Sequence, residues 1–206
     1  MAQPHVVLFD YGSGNLRSAY RALSHAGADV ELTGDLTAAT AADGLVIPGV
    51  GAFAACMRGI HASGVDRVVR ERAATHRPVL GICVGHQVLF QSGNEHGHVA
   101  AGIGLFDTAV ERLDAPVLPH MGWNTVTGGG DLRLFDGIDP NERFYFVHSY
   151  AVKTAPHDAR VARTDHGGDF IAAVESGPIS ATQFHPEKSG TAGLRLLGNW
   201  LSTLAE

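Results

Sequence analysis

Three side chains with covalent or proton-transfer chemistry stand out by type and setting: Cys83, His185 and Glu187. Cys83 lies in the stretch Pro-Val-Leu-Gly-Ile-Cys-Val-Gly-His-Gln (78–87), a short apolar run that reads as a buried strand. The run ends in Gly-x-Cys-x-Gly, and Val88, Leu89 and Phe90 after it read as helix. A strand that doubles back into a helix needs small residues on both sides of its apex, the pattern of a nucleophile elbow with cysteine in the serine position. A helix N-terminus at that apex favours a thiolate. By itself the motif also fits a buried cysteine in a tight turn. His185 and Glu187 flank Pro186 at the end of another apolar run. A carboxylate beside an imidazole sets its tautomer and stabilises the imidazolium, as a base and its orienter require. That pair alone also fits a surface contact; an elbow cysteine followed in the chain by His and Glu is what points to thiol chemistry.

A tetrahedral oxyanion needs donors. Pro48-Gly49-Val50-Gly51 follows an apolar strand, and its glycines leave backbone N–H groups able to face a ligand. The expected donors are the N–H of Val84, next to the nucleophile, and one from Gly49, Val50 or Gly51. Other clusters carry less. Gly12-Ser13-Gly14 lacks the third glycine of a dinucleotide fingerprint, since Arg17 stands there, and reads as a tight turn. His96 and His98 have no spaced partners for a metal, so no metal site and no cofactor are expected. Cys56 reads as an inert core residue.

The elements that must position these groups are those of an α/β protein. His5–Asp10, Asp29–Thr33, Leu45–Ile47 and Val79–Cys83 read as buried strands. Leu16–Ala26, Phe53–His61 and Val65–Thr75 read as helices between them, implying a doubly wound, mostly parallel sheet with its sites at the strand carboxyl ends. After Gly93 the pattern shifts: residues 94–101 read as loop. Short strands then follow at 110–113, 125–127, 144–147, 160–164, 170–174 and 179–184, which predict an antiparallel extension of the sheet. Ala192–Leu204 reads as a closing amphipathic helix. No repeat or linker interrupts the 206 residues, so one domain spanning 1–206 is expected.

Composition narrows the setting. A net charge of −6 and the lack of a basic stripe argue against a nucleic-acid partner. No apolar run reaches the roughly 20 residues that span a bilayer, and no signal peptide is visible. Two cysteines make no disulfide framework, so a cytoplasmic setting is expected, with no membrane partner.

With these residues assembled, the chain resembles the class I (triad) glutamine amidotransferases over nearly its whole length. Gly-Ile-Cys-Val-Gly-His-Gln (81–87) and His-Pro-Glu (185–187) are that family's signatures. Asp-Tyr-Gly-Ser-Gly-Asn (10–15), Pro-Gly-Val-Gly-Ala-Phe (48–53), Pro-His-Met-Gly-Trp-Asn (119–124) and His-Pro-Glu-Lys-Ser-Gly (185–190) resemble its histidine-biosynthesis branch, the glutaminase subunits of imidazole glycerol phosphate synthase. His86 departs from that branch, which more often has methionine there; Gly-His-Gln is common in the anthranilate and GMP synthetase branches.

The resemblance implies glutamine as substrate, with Gln87 and the His148-Ser149-Tyr150 backbone holding it. It implies a heterodimer with a (β/α)8-barrel cyclase that receives the ammonia and makes imidazole glycerol phosphate and aminoimidazole carboxamide ribotide. Asn15, His120, Trp123, Asn124 and Lys188 would line the docking face, and the Gly49-Val50 peptide would act as a switch. The alternatives are an amidotransferase subunit of anthranilate or purine synthesis, a stand-alone cysteine hydrolase of the same fold, and a flavodoxin-like binding module.

Overall fold

The computed structural model describes residues 3–205. The first half alternates strands and helices: β1 (His5–Phe9), α1 (Leu16–Ala26), β2 (Asp29–Thr33), α2 (Leu36–Ala41), β3 (Gly44–Gly49), α3 (Phe53–Ser63), α4 (Val65–Ala74) and β4 (Val79–Cys83). The second half runs through α5 (Val84–Gln87), β5 (Phe90–Glu95), β6 (His98–Ala101), β7 (Phe106–Arg112), β8 (His120–Thr125), β9 (Arg143–His148), β10 (Tyr150–Val152), β11 (Arg160–Asp165), β12 (Asp169–Ser176), β13 (Ile179–Thr182) and α6 (Gly190–Ser202).

Seven strands form the central sheet in the order β11-β12-β13-β4-β3-β1-β2. The pairs from β13 to β2 are parallel, and β11-β12-β13 pair antiparallel. The crossovers from β1 to β2 and from β2 to β3 run in opposite directions along the sheet, which, with right-handed connections, puts α1 and α2 on opposite faces. Strands covered on both faces have no polar side, and every residue of β3 and β4 is buried. The parallel pairing brings the carboxyl ends of β1, β3, β4 and β13 to one rim. Gly49 sits abreast of Cys83, and Thr182 abreast of Ile82.

Local chemistry accounts for the helix ends. Gly27 (φ 112) closes α1, its N–H reaching the carbonyls of Leu23 and Ser24. Asp35 caps α2 by accepting the Ala38 N–H at 2.7 Å. The buried guanidinium of Arg72 meets the carbonyls left open at the other end of α2, donating to Ala39, Thr40 and Ala42.

Three expectations need correction. α2 is absent from the sequence reading, because Leu-Thr-Ala-Ala-Thr-Ala has little periodicity. The segment Val88–Phe90 is not helical: the carbonyls of Val88, Leu89 and Phe90 accept N–H groups of Ile103, Leu105 and Gly104, so α5 stops at Gln87. Residues 94–101 are no loop but most of the β5–β6 hairpin, which turns on His96 (φ 52) and Gly97 (φ 79). Two positive φ values mark a I′ turn, with histidine where asparagine is the usual signal.

The extension of the sheet is also smaller than expected. β5, β6, β7 and β10 form a separate four-stranded sheet, and β8 and β9 a two-stranded ribbon. β9 alternates buried with more accessible positions, as a strand covered on one side does.

Candidate active site

Cys83 ends β4 at φ 56 and ψ −112. A residue with a Cβ pays about 1–3 kcal/mol for such a conformation, and it persists only where its surroundings enforce it. The flanking glycines do so. A Cβ on Gly81 would stand 2.6 Å from the Gly85 carbonyl oxygen, and one on Gly85 would overlap the Ile47 carbonyl oxygen on β3. The chain can therefore make this turn only with glycine at both places.

His185 arrives at the same rim three residues beyond Thr182. Its N–H donates to the Tyr145 carbonyl at 2.9 Å, and Ser189 Oγ donates to its carbonyl at 2.6 Å. With the backbone tied at both ends, the imidazole is held with Nδ1 2.7 Å from Glu187 Oε1. A carboxylate accepts, so Nδ1 carries the proton and Nε2 is left towards Cys83. Nε2 is buried with no hydrogen bond among the described residues. Burial disfavours the charged imidazole, but Cys83 and Glu187 outweigh it and raise the His185 pKa from 6.5 to about 9. Cys83 and Glu187 thus favour the protonated ring over the neutral one.

These groups open into a cavity of about 230 Å³ lined also by Val50, Gly51, Val84, Gln87, Glu95, Lys188 and the segment Val147–Tyr150. Gln87 donates from Nε2 to the Tyr150 carbonyl (2.8 Å) and to Gln183 Oε1 (2.9 Å). Gln183 Nε2 in turn approaches Cys83 Sγ at 3.9 Å. Among the described residues the N–H groups of Val84 and Gly51 make no hydrogen bond. The backbone polar groups of Val50 are engaged elsewhere. Its N–H meets Ser13 Oγ at 3.3 Å, and its carbonyl accepts from Ser13 Oγ at 2.9 Å and from Cys56 Sγ at 3.4 Å. Gly49 does not line the cavity; a Cβ there would meet the Gly85 nitrogen and the Tyr11 hydroxyl. The arrangement suits attack of a thiolate on a carbonyl carbon, with an imidazolium ready to protonate a leaving group.

A family model described as class-I glutamine amidotransferase matches residues 7–203. The chain belongs to the class I glutamine amidotransferases. Among the curated amidotransferases, it is 57% identical to "Imidazole glycerol phosphate synthase subunit HisH" of Thermobifida fusca, over 98% of this chain and 100% of that one. It is 55% identical to the protein of the same name from Mycolicibacterium paratuberculosis, over 99% and 100%. A solved glutamine amidotransferase superposes with a TM-score of 0.78 at 19% identity, covering 98% of this chain and 99% of that one, which speaks for the fold alone.

The residues expected on the docking face of this amidotransferase divide. Asn15 is exposed, and Trp123 is 53% exposed beside Met121 at 63%. Lys188 lies over the Tyr145 ring, 5.8 Å from its centroid. His120 instead points inward and is buried, with Asn124 hydrogen-bonded to it. His86, the departure from the branch pattern, is fully buried with neither ring nitrogen hydrogen-bonded among the described residues. Burial lowers its pKa to about 3, against the opposing influence of Gln183. Glu95, Gln183 and Ser13 escaped the sequence reading as site residues. Gln183 is adjacent to the motif that holds His185 and Ser13 lies within the 10–15 motif, but Glu95 carries no local signal.

Proposed function

We propose that the chain is the glutaminase subunit of imidazole glycerol phosphate synthase, with Cys83, His185 and Glu187 as its triad and a cyclase subunit as the user of its ammonia. The observation that carries this reading is the buried His185–Glu187 pair beside an elbow cysteine, opening into a cavity of about 230 Å³. In this reading the Cys83 thiolate attacks the side-chain amide carbon of glutamine. The oxyanion is met by the Val84 N–H and a donor from the 49–51 turn. Each such donor is worth ~2.7–4 kcal/mol of barrier. His185 protonates the departing nitrogen, which leaves as ammonia, and the acyl group stays on sulfur as a thioester. His185, now neutral, takes a proton from water as it attacks the thioester, and the C–S bond breaks to release glutamate and restore the thiolate and the imidazolium.

Glu95 offers a carboxylate to the α-ammonium group. Its Oε2 is held by the Phe53 N–H at 2.9 Å, and burial raises its pKa. Gln87, with Nε2 committed, presents Oε1 as an acceptor, and the 148–150 backbone supplies further polar contacts. The exposed apolar side chains Val50, Met121 and Trp123 near the cavity mouth suit docking of a (β/α)8-barrel cyclase, with Asn15 and Lys188 at the edge. Because the Val50 N–H is engaged by Ser13, the turn supplies its full set of donors only after the Gly49-Val50 peptide rotates. Glycine permits that rotation at low steric cost, and activity is accordingly weak until the partner docks.

The test is glutamate production from glutamine by the chain alone, and with a cyclase subunit and its nucleotide ligand. Strong stimulation is expected. Equal rates with and without the partner would count against gating and favour a stand-alone hydrolase. Cys83→Ala should abolish glutamine-dependent synthesis while the complex still turns over with ammonium; loss of both would indicate a folding defect instead.

A further inference from the structure

Running outward from the Val147–Tyr150 wall of the cavity, three polar side chains form a directed chain of hydrogen bonds. His148 Nδ1 lies 2.9 Å from the Tyr150 carbonyl oxygen. A carbonyl only accepts, so this nitrogen carries the proton and His148 Nε2 is bare in the neutral ring. His120 Nδ1, at 3.1 Å from that Nε2, must then be the donor. His120 Nε2 is in turn an acceptor, and Asn124 Nδ2 faces it at 3.3 Å. The Asn124 amide has a fixed orientation, since Oδ1 accepts the Thr125 N–H at 2.9 Å and Nδ2 also donates to the Asp165 carbonyl at 2.9 Å. Every member has one consistent role, running from Asn124 through His120 and His148 to Tyr150. Both histidines are buried, and burial holds their pKa values at about 4 and about 3, so the neutral tautomers persist at neutral pH.

The two ends of this chain lie at different places. At one end, the Tyr150 carbonyl also accepts from Gln87, so its two lone pairs are shared between the cavity and His148. At the other, His120 and Asn124 alternate along β8 with Met121 and Trp123, which point outward from the same strand. His120 and His148 also stand opposite each other in the β8–β9 ribbon, so a displacement of β8 is passed to His148 and, through its Nδ1, to the Tyr150 carbonyl.

We propose that His120 and His148 are positioning residues that tie the Tyr150 carbonyl, and through it Gln87, to the position of strand β8. This rests on the reading above that the outward face of β8 is where the cyclase docks. It adds a physical connection by which docking reaches the glutamine pocket through its Val147–Tyr150 wall, separate from the Val50 turn.

Two substitutions at one position separate hydrogen bonding from packing. His120→Phe keeps a ring against His166 and Phe146, which stack on His120 at 4.3 and 4.8 Å, but has no N–H. His120→Asn loses the ring yet can place an amide N–H near the Nδ1 position. Glutamine KM and partner-stimulated turnover would be measured for both, in complex with the cyclase subunit and its nucleotide ligand. The expected result is about a tenfold loss of stimulation with a raised KM in H120F, the scale of one lost buried hydrogen bond, and substantial recovery in H120N. Wild-type stimulation in H120F, or equal impairment of both variants, overturns the proposal while leaving the docking reading in place. A wild-type chain that the partner does not stimulate overturns that reading and this proposal together. Should H120F fail to fold, H120Q, which puts its amide at the Nε2 position, serves as the variant lacking the Nδ1 donor.

Discussion

Glu187 Oε1 lies 2.7 Å from His185 Nδ1, with both side chains 3% exposed. The carboxylate thus fixes which imidazole nitrogen faces the thiol, and it does so without competition from solvent. Glu187→Gln keeps the shape but offers an amide that can present N–H to Nδ1 and favour the wrong tautomer. We expect kcat for glutamine to fall at least about 100-fold with KM little changed. Steady-state glutamate formation in the complex checks this, and unaltered turnover would remove Glu187 from the triad.

The raised pKa of His185 has a consequence for stability at alkaline pH. A folded value of about 9 against 6.5 for the free side chain means that the folded state holds this proton more tightly. The stabilisation is complete below pH 6.5 and is lost as pH rises through 9, and it is of order 3 kcal/mol. The stability difference between wild type and His185→Asn, measured by urea unfolding, should therefore narrow between pH 6.5 and 10. A constant gap would mean that the proton on His185 contributes nothing to folding.

His86 acts in the opposite sense. Its folded pKa of about 3 lies below the unfolded value, so the folded state resists taking up a proton. Stability from this source is intact above pH 6.5 and declines as pH falls towards 3, by about 1.4 kcal/mol per pH unit. His86→Met replaces a buried ring lacking hydrogen bonds with an apolar side chain of adaptable shape. The variant should unfold at lower pH than wild type, with its stability advantage widening as pH falls from 6.5 towards 3. Parallel stability curves from pH 7 to pH 4 would contradict the burial argument.

Trp123 presents a half-exposed indole edge-on to Tyr145, with ring centroids 5.9 Å apart. On the docking face proposed above, such an aromatic anchor should be worth roughly 2 kcal/mol or more, about 30-fold in Kd for a cyclase subunit. Trp123→Ala should weaken association by titration calorimetry while the basal glutaminase rate of the free chain stays near wild type. A defect seen only in glutamine binding by the free chain would place Trp123 outside the interface.

The parts of this protein legible along the chain are those whose cause is local. Gly81 and Gly85 announce the elbow because no side chain fits beside Cys83, and Pro186 with its neighbours announces the His185–Glu187 pair because the two are close in sequence. β3 and β4 are legible as continuous apolar runs because both their faces are covered. The β5–β6 hairpin was missed because its turn uses His96 where asparagine would have signalled it, and α5 was overextended because what stops it is a set of hydrogen bonds from residues 103–105.

Local sequence thus determined that there is a cysteine elbow, an imidazole–carboxylate pair and a parallel α/β frame. Tertiary structure alone decided that Thr182 stands abreast of Ile82, which carries His185 to Cys83 across a hundred residues of chain. It alone turned the Val50 N–H to Ser13, brought Glu95 to the cavity, and pointed His120 inward to His148. Register between distant strands and the aim of a buried side chain depend on how whole faces pack, and no short stretch of residues encodes that packing.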